Sequence, residues 1–214
     1  MSRIGDRYDQ AVRAWMAKHG QPVPAQAIAF TDYPAALRVR LITEETEEFV
    51  EAWQAGDRIE MIDALADVLY VAYGAVVAAG GVVEVADEVA KTAPVELGCL
   101  DGDSLAATLT QRAKEFVEAV ESGQMEMVTR SAIASIREAK RAAAVMGIEI
   151  WPFFSEVHES NMSKPVGRRR EDGKVLKLEG YRHPDLRRVF SEIYLLDGRD
   201  PELSLRDLEP HLAI

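Results

Sequence analysis

The sequence contains very little cysteine and almost no strand-like alternation of apolar and polar residues. Its one cysteine, Cys99, excludes an internal disulfide framework and fits a reducing compartment, so we expect a cytoplasmic protein. One cysteine and four scattered histidines also exclude a structural zinc site. Because helix-like patterns dominate instead, we predict an all-α fold.

Positive charge and long uncharged stretches are scarce as well. The chain has 25 Lys and Arg against 36 Asp and Glu, a net charge of −11, which excludes nucleic acid as the main partner. No apolar stretch follows the basic residues at the N-terminus, so we expect no signal peptide. The longest uncharged run, 68–83, is too short to cross a bilayer, and we expect no membrane insertion. Apolar residues make up 48% of the chain, enough for a folded core.

Capping and turn signals divide the chain into helices. We predict helices over 6–18, 32–55 with Asp32 as the cap, 57–79 with Asp57 as the cap, 86–91, 104–121, 124–146, 153–163 and a short one at 204–209. From residue 165 onward the chain is predicted to be irregular and basic. We predict one domain over 1–190, with a helical insertion at about 82–140, and a C-terminal tail over 191–214.

An internal repeat occurs at an offset of 67 residues. The segment EFVEAWQAGD (48–57) matches EFVEAVESGQ (115–124), and Gly80 falls opposite Gly147 without a gap. Two interpretations are open, a duplicated helical hairpin and two unrelated amphipathic helices, because Ala, Glu and Val match easily in any helix.

Acidic residues occupy places in two helices where apolar residues are expected. Glu44 and Glu48 continue the apolar stripe of the 32–55 helix, and Glu45 lies beside them. Asp63 and Asp67 share one face of the next helix and are the only charged residues between Met61 and Val83. Since a short turn joins the two helices, we expect an antiparallel hairpin that brings both acidic groups to one level.

Clustered carboxylates in an apolar seam need a compensating positive charge. The glutamate run alone is also explained as a solvated helix face, but that interpretation does not explain an aspartate pair inside an apolar helix. A divalent cation resolves the repulsion, and Mg²⁺ prefers oxygen ligands of this kind. We therefore predict a magnesium site, in which Mn²⁺ is a substitute.

These residues resemble the all-α nucleoside triphosphate pyrophosphohydrolases, which include the MazG-type enzymes, phosphoribosyl-ATP pyrophosphohydrolase and the dimeric dUTPases. The family signature is EExxE followed by ExxD. The segment EETEE supplies Glu44, Glu45 and Glu48, and ADVLYV supplies Asp67. Ala64 stands where the family has the second glutamate, and Asp63 is the nearest acid. The resemblance covers roughly 5–80 and 140–186.

The segment FFSEVHESNMSKPVGRRREDGKVLK (153–177) resembles the C-terminal part of MazG-like proteins. That resemblance implies phosphate contacts by Asn161, Lys164 and Arg168, whereas 168–170 is also explained as an exposed basic loop. Candidates for contacts with a base are Tyr70, Trp53, His19 and Gln21, each of which is also explained as core or loop packing.

The resemblance implies Mg²⁺-dependent hydrolysis of a nucleoside triphosphate, particularly a deoxynucleotide, to the monophosphate and pyrophosphate. Glu45, Glu48, Asp63 and Asp67 are the implied metal ligands, and Glu44 or Glu45 is the implied residue that activates water. It also implies a homodimer or homotetramer. The alternatives are phosphoribosyl-ATP as the substrate and a non-catalytic helical binding or oligomerisation module. A di-metal storage bundle is disfavoured, since no Glu-x-x-His pair occurs.

Overall fold

The computed structural model describes residues 5–84, 102–167, 169–171 and 173–196. These residues form seven helices and no strand, so the predicted all-α class is confirmed. The helices are α1 (Arg7–Lys18), α2 (Ala35–Ala55), α3 (Arg58–Ala78), α4 (Gly102–Glu121), α5 (Met125–Val145), α6 (Ile150–Ser163) and α7 (Leu186–Leu196). Cys99 and the helices predicted at 86–91 and 204–209 lie outside the described residues.

Helix α3 is the centre of the fold. It contacts α1, α2, α5, α6 and α7, and every one of its residues except the charged Arg58, Glu60, Asp63 and Asp67 is buried. Among the described helices α3 alone is long and apolar enough to span a membrane, but 83% of its apolar window is buried inside the protein. Its apolarity therefore fits the role of a core helix.

The turn between α2 and α3 fixes the antiparallel hairpin. Gly56 adopts the left-handed conformation, with φ 69°, and ends α2. Asp57 then caps α3 by accepting hydrogen bonds from the backbone N–H groups of Ile59 and Glu60. The predicted cap and hairpin are confirmed.

A second hairpin, α4 and α5, packs against the first. Helix α4 contacts α2, and α5 contacts α3. The bounds of α5 are those of α3 shifted by the 67 residues of the sequence repeat, and Gly123 repeats the positive φ of Gly56. The duplicated hairpin is the interpretation that these matching bounds favour.

Two helices start three residues away from the predicted position. Asp32 does not cap α2: it lies in a 3₁₀ turn, Phe30–Asp32, and the extended conformation of Tyr33 before Pro34 delays the helix to Ala35. Helix α6 begins at Ile150 rather than residue 153, because Pro152 falls in the first turn, where a missing N–H is harmless.

Helix α7 was not predicted. It occupies a stretch interpreted as irregular, and the predicted end of the domain at residue 190 lies inside it. Leu186, Val189 and Phe190 are buried against the core, and the carboxylate of Asp185 accepts from the Arg188 N–H at its start. Apolar residues at i, i+3 and i+4 after a capping aspartate were a usable signal.

Candidate active site

A cavity of about 190 Å³ lies beside the acidic part of the α2–α3 hairpin. Glu45 and Glu48 enter it from α2, and Asp63 and Asp67 enter it from α3. The cavity is also lined by basic side chains that follow α6, namely Lys164, Lys174 and Lys177. The cavity therefore joins a set of hard oxygen donors to a set of cations.

The hairpin gives each acid a different exposure. Glu45 is 6% exposed, Asp63 and Asp67 are partly buried, and Glu48 is exposed at the edge of the cavity. The four predicted metal ligands thus line one cavity, as the matched distance of Glu48 and Asp63 from the turn suggested.

Burial and mutual repulsion favour the protonated form of three of these acids. Burial, followed by the charges of Asp67 and Glu48, raises the pKa of Glu45 to about 8. Burial, followed by Asp67, raises the pKa of Asp63 to about 7. Burial raises the pKa of Asp67 to about 6, although the charge of Lys164 opposes the rise. A further cation in the cavity would therefore stabilise the ionised forms.

Glu44 differs from its neighbours. It is not among the residues that line the cavity, and its carboxylate accepts from Lys174 Nζ at 2.7 Å and from Arg170 Nη2 at 3.5 Å. The hydrogen bond from Lys174 lowers the pKa of Glu44. Lys174 Nζ also lies 3.7 Å from Glu45. Glu44 therefore positions a lysine beside the acidic cluster.

The donor set suits a hard divalent cation. All four acids offer carboxylate oxygens, and Asp63 Oδ1 is buried without a hydrogen-bond partner, a costly state that coordination would relieve. Over the described ranges, no three His, Cys, Asp or Glu side chains are arranged so as to hold a metal ion. Lys174 contacts Glu45 in this arrangement, so ligation by all four acids requires side-chain rotation.

The residues predicted on the substrate side lie in different surroundings. Asn161 and Lys164 line the cavity, and burial lowers the pKa of Lys164 whereas Asp67 raises it. Tyr70 also lines it, but its ring stacks on Phe154 at 5.4 Å, and its hydroxyl lies 3.0 Å from His158 Nδ1. Arg168 lies outside the described residues.

Only some of the candidates for contact with a base lie at the cavity. Gln21 lines the cavity, whereas His19 and Trp53 do not. Trp53 lies beside Phe49, with ring centroids 6.1 Å apart, and His19 beside Trp15 at 4.8 Å. Core packing is the interpretation that fits Trp53.

Sequence reasoning missed Lys174, Lys177 and Arg38, all of which line the cavity. The two lysines follow a tight turn, in which Gly173 N–H donates to Arg170 O at 2.8 Å and Arg170 N–H donates to Lys174 O at 2.8 Å. The segment EDGKVLK did contain a usable signal. Its Asp-Gly pair predicts a turn, and the two lysines that follow the turn are three residues apart.

Comparison with known proteins gives one match. Residues 13–93 match the family model described as phosphoribosyl-ATP pyrophosphohydrolase. Searches of curated proteins and of solved structures gave no significant match to the chain. The matched segment contains both acidic groups of the cavity and supports a hydrolase that acts on a nucleotide pyrophosphate linkage.

Proposed function

Since residues 13–93 are a domain of the MazG-like nucleotide pyrophosphohydrolase superfamily, we propose that this protein hydrolyses nucleoside triphosphates between the α- and β-phosphates. Water is added and the α–β anhydride bond is broken, which gives a nucleoside monophosphate and pyrophosphate. The proposed cofactor is Mg²⁺, with Mn²⁺ as a substitute, and the proposed substrates are deoxynucleotides. We further propose a cytoplasmic homodimer or homotetramer.

One observation carries this proposal. Four carboxylates and three lysines line the same cavity. The carboxylates match the needs of a divalent cation, and the lysines match the charge of a triphosphate that the cation does not fully neutralise.

The residues have distinct roles in the proposed reaction. Glu45, Glu48, Asp63 and Asp67 would hold Mg²⁺, which polarises the phosphates and lowers the pKa of a bound water. Lys164, Lys174 and Lys177 would orient the phosphate chain, together with Asn161. Glu44 or Glu45 would orient or deprotonate the attacking water: Glu45 lines the cavity, whereas Glu44 accepts a hydrogen bond from Lys174 and does not line it.

Phosphoribosyl-ATP is a second candidate substrate, favoured by the description of the matching family. The chemistry at the phosphates is the same, so the carboxylates and lysines do not distinguish the two substrates. The family match also says nothing about the segment 102–146, because this segment packs on the matched hairpin but lies outside the matched residues.

A substrate screen tests the proposal. Purified protein with Mg²⁺ is incubated with each common rNTP and dNTP, with dUTP and with phosphoribosyl-ATP, and the products are separated by anion exchange. We expect monophosphate and pyrophosphate from one or a few deoxynucleotides. Diphosphate and orthophosphate would refute α–β cleavage, turnover of phosphoribosyl-ATP alone would establish the second candidate, and no turnover with Mg²⁺ or Mn²⁺ would leave a non-catalytic module.

A further inference from the structure

The cavity continues past the charged groups toward the start of α2. Arg38 precedes Glu45 by seven residues on α2, and Gly74 follows Asp67 by seven residues on α3. At 1.5 Å per residue this inner end lies about 10 Å along the hairpin from the carboxylates. Its remaining walls are largely apolar and include Val12, Met16 and Val71.

Arg38 is a buried cation at this inner end. It is 3% exposed, and its Nη2 donates to Gln21 Oε1 at 3.0 Å. Its Nε is buried without a hydrogen-bond partner. A buried charge with an unused donor is costly, and Arg38 lines the cavity, so an acceptor that a ligand brings to the guanidinium group would stabilise it.

Gly74 leaves the space that Arg38 occupies. A Cβ atom built on Gly74 would lie 2.7 Å from Arg38 Nη1, closer than such contacts allow. The absence of a side chain at residue 74 thus allows the guanidinium group to lie against the α3 backbone. Arg38, Gln21 and Gly74 together form a built polar group at the end of an apolar cavity.

Arg38 and Gln21 offer a ligand hydrogen-bond donors rather than acceptors. A guanidinium group has only N–H donors. The amide oxygen of Gln21 already accepts from Arg38, so Gln21 has its NH₂ group, also a donor, left to offer a ligand. Such a wall favours carbonyl oxygens and repels amino groups. A planar, mostly apolar ligand with a carbonyl edge satisfies both the apolar walls and the donors.

We propose that the inner end of the cavity holds the nucleobase, and that Arg38 and Gln21 select bases with a carbonyl over bases with an amino group at the same ring position. The preferred class is hypoxanthine or guanine over adenine, and uracil or thymine over cytosine. This inference rests on the proposed function, since it takes the outer, charged end to hold the phosphates.

Binding of monophosphates tests the inference without turnover. The pairs dIMP with dAMP and dUMP with dCMP differ at the carbonyl or amino position and the adjacent ring nitrogen, and isothermal titration calorimetry on the full chain gives each Kd. We expect the carbonyl member of at least one pair to bind roughly 10-fold more tightly, since one base-edge mismatch typically has an effect of this order. Equal affinities, an amino preference in both pairs or no binding of any of the four would overturn the inference.

Two variants assign the effect to Arg38. Arg38→Met keeps an unbranched apolar side chain but removes the donors, and Gly74→Ala displaces the guanidinium without changing charge. Both should bring the ratio of the two Kd values within a pair toward one, while the Kd of pyrophosphate, measured by the same calorimetry, stays unchanged. If Arg38→Met does not fold, as judged by circular dichroism, Gly74→Ala and the wild-type ratios still decide the result. Weakened pyrophosphate binding in either folded variant would place phosphate at Arg38 and overturn the inference.

The two proposals fail separately. A carbonyl preference in binding without hydrolysis of any triphosphate contradicts the proposed reaction and keeps the base site. Hydrolysis without discrimination between the paired bases contradicts the base site and keeps the reaction.

Discussion

Glu45, Asp63 and Asp67 concentrate negative charge where water has little access. Burial and repulsion raise the pKa of each, to about 8, 7 and 6 respectively. An acid whose pKa is raised on folding binds more protons in the folded state than in the unfolded state at every pH between its unfolded and folded pKa values. The free energy of unfolding therefore falls as pH rises through this range.

The first prediction concerns this pH dependence. Between pH 5 and 8, in EDTA, we expect the melting temperature of the wild type to fall. Glu45→Gln has no ionisable group at this position. Its melting temperature should therefore fall less over the same pH range and should be roughly 3 °C or more above that of the wild type at pH 8. Differential scanning calorimetry measures both. A wild-type melting temperature that rises over this range would show that the acids are compensated by groups other than a metal.

The second prediction concerns catalysis by single acids. Glu48→Gln and Asp67→Asn should each lower kcat/KM by roughly 100-fold or more, because each removes a proposed metal ligand. Helicity by circular dichroism should not change. Glu47→Gln is the matched control, since Glu47 is exposed on the same helix and does not line the cavity. Full activity of Asp67→Asn would place the reaction on another face of the hairpin.

Among the elements, the turn that carries Lys174 has two opposing roles. In this structure the lysine pairs with Glu44 and lies near Glu45, where it would compete with a metal ion held by the acids. In the proposed reaction the same lysine contacts phosphate. We therefore expect this side chain to weaken metal binding and to strengthen nucleotide binding.

The third prediction separates these two roles. Lys174→Met should raise KM for the nucleotide roughly 10-fold, as a charge-assisted hydrogen bond is lost. The same variant should bind Mg²⁺ more tightly in the absence of nucleotide, measured by isothermal titration calorimetry. Lys114→Met is the control, because Lys114 is an exposed lysine on α4 outside this cavity. Weaker Mg²⁺ binding in Lys174→Met would contradict the competition.

The second hairpin keeps the packing of the first but only one of its five acids, since Glu115 matches Glu48. Gln111 and Arg112 stand where Glu44 and Glu45 align, and Arg130 and Ala134 replace Asp63 and Asp67. Arg112 pairs within its own helix with Glu115 at 2.5 Å. The acid that the second copy keeps is thus held in a local ion pair, where the first copy has a cluster of mutually repelling acids.

At the scale of the whole molecule, both hairpins contribute to one core. Phe49 and Phe116 occupy equivalent positions of the repeat, and both are fully buried. The fourth prediction is that Phe49→Ala and Phe116→Ala each lower the free energy of unfolding by about 3–5 kcal/mol and each retain a single transition. Denaturant unfolding followed by circular dichroism measures this. Two separated transitions in Phe116→Ala would mean that the second hairpin unfolds independently.

Local signals were sufficient for much of this molecule. The α2–α3 hairpin follows from Gly56, Asp57 and two helical periods, and the shared cavity follows from the distance of each acid from the turn. The start of α2 was mispredicted because Pro34 outweighs the capping preference of Asp32. Arg38 was missed because its burial depends on Gln21 and Gly74, which are distant in sequence and show no spacing pattern with it.

The central position of α3 has a consequence for synthesis on the ribosome. Helix α3 contacts α1 and α2, which precede it, but also α5, α6 and α7, which follow it in the chain. Once residues up to about 80 have left the ribosome, the nascent chain therefore displays an apolar helix without much of its covering. Recognition of such a segment by chaperones, or by the machinery that inserts apolar helices into membranes, is restricted to the interval before the later helices emerge. The order of helices along the chain thus sets how long α3 stays partly uncovered during synthesis.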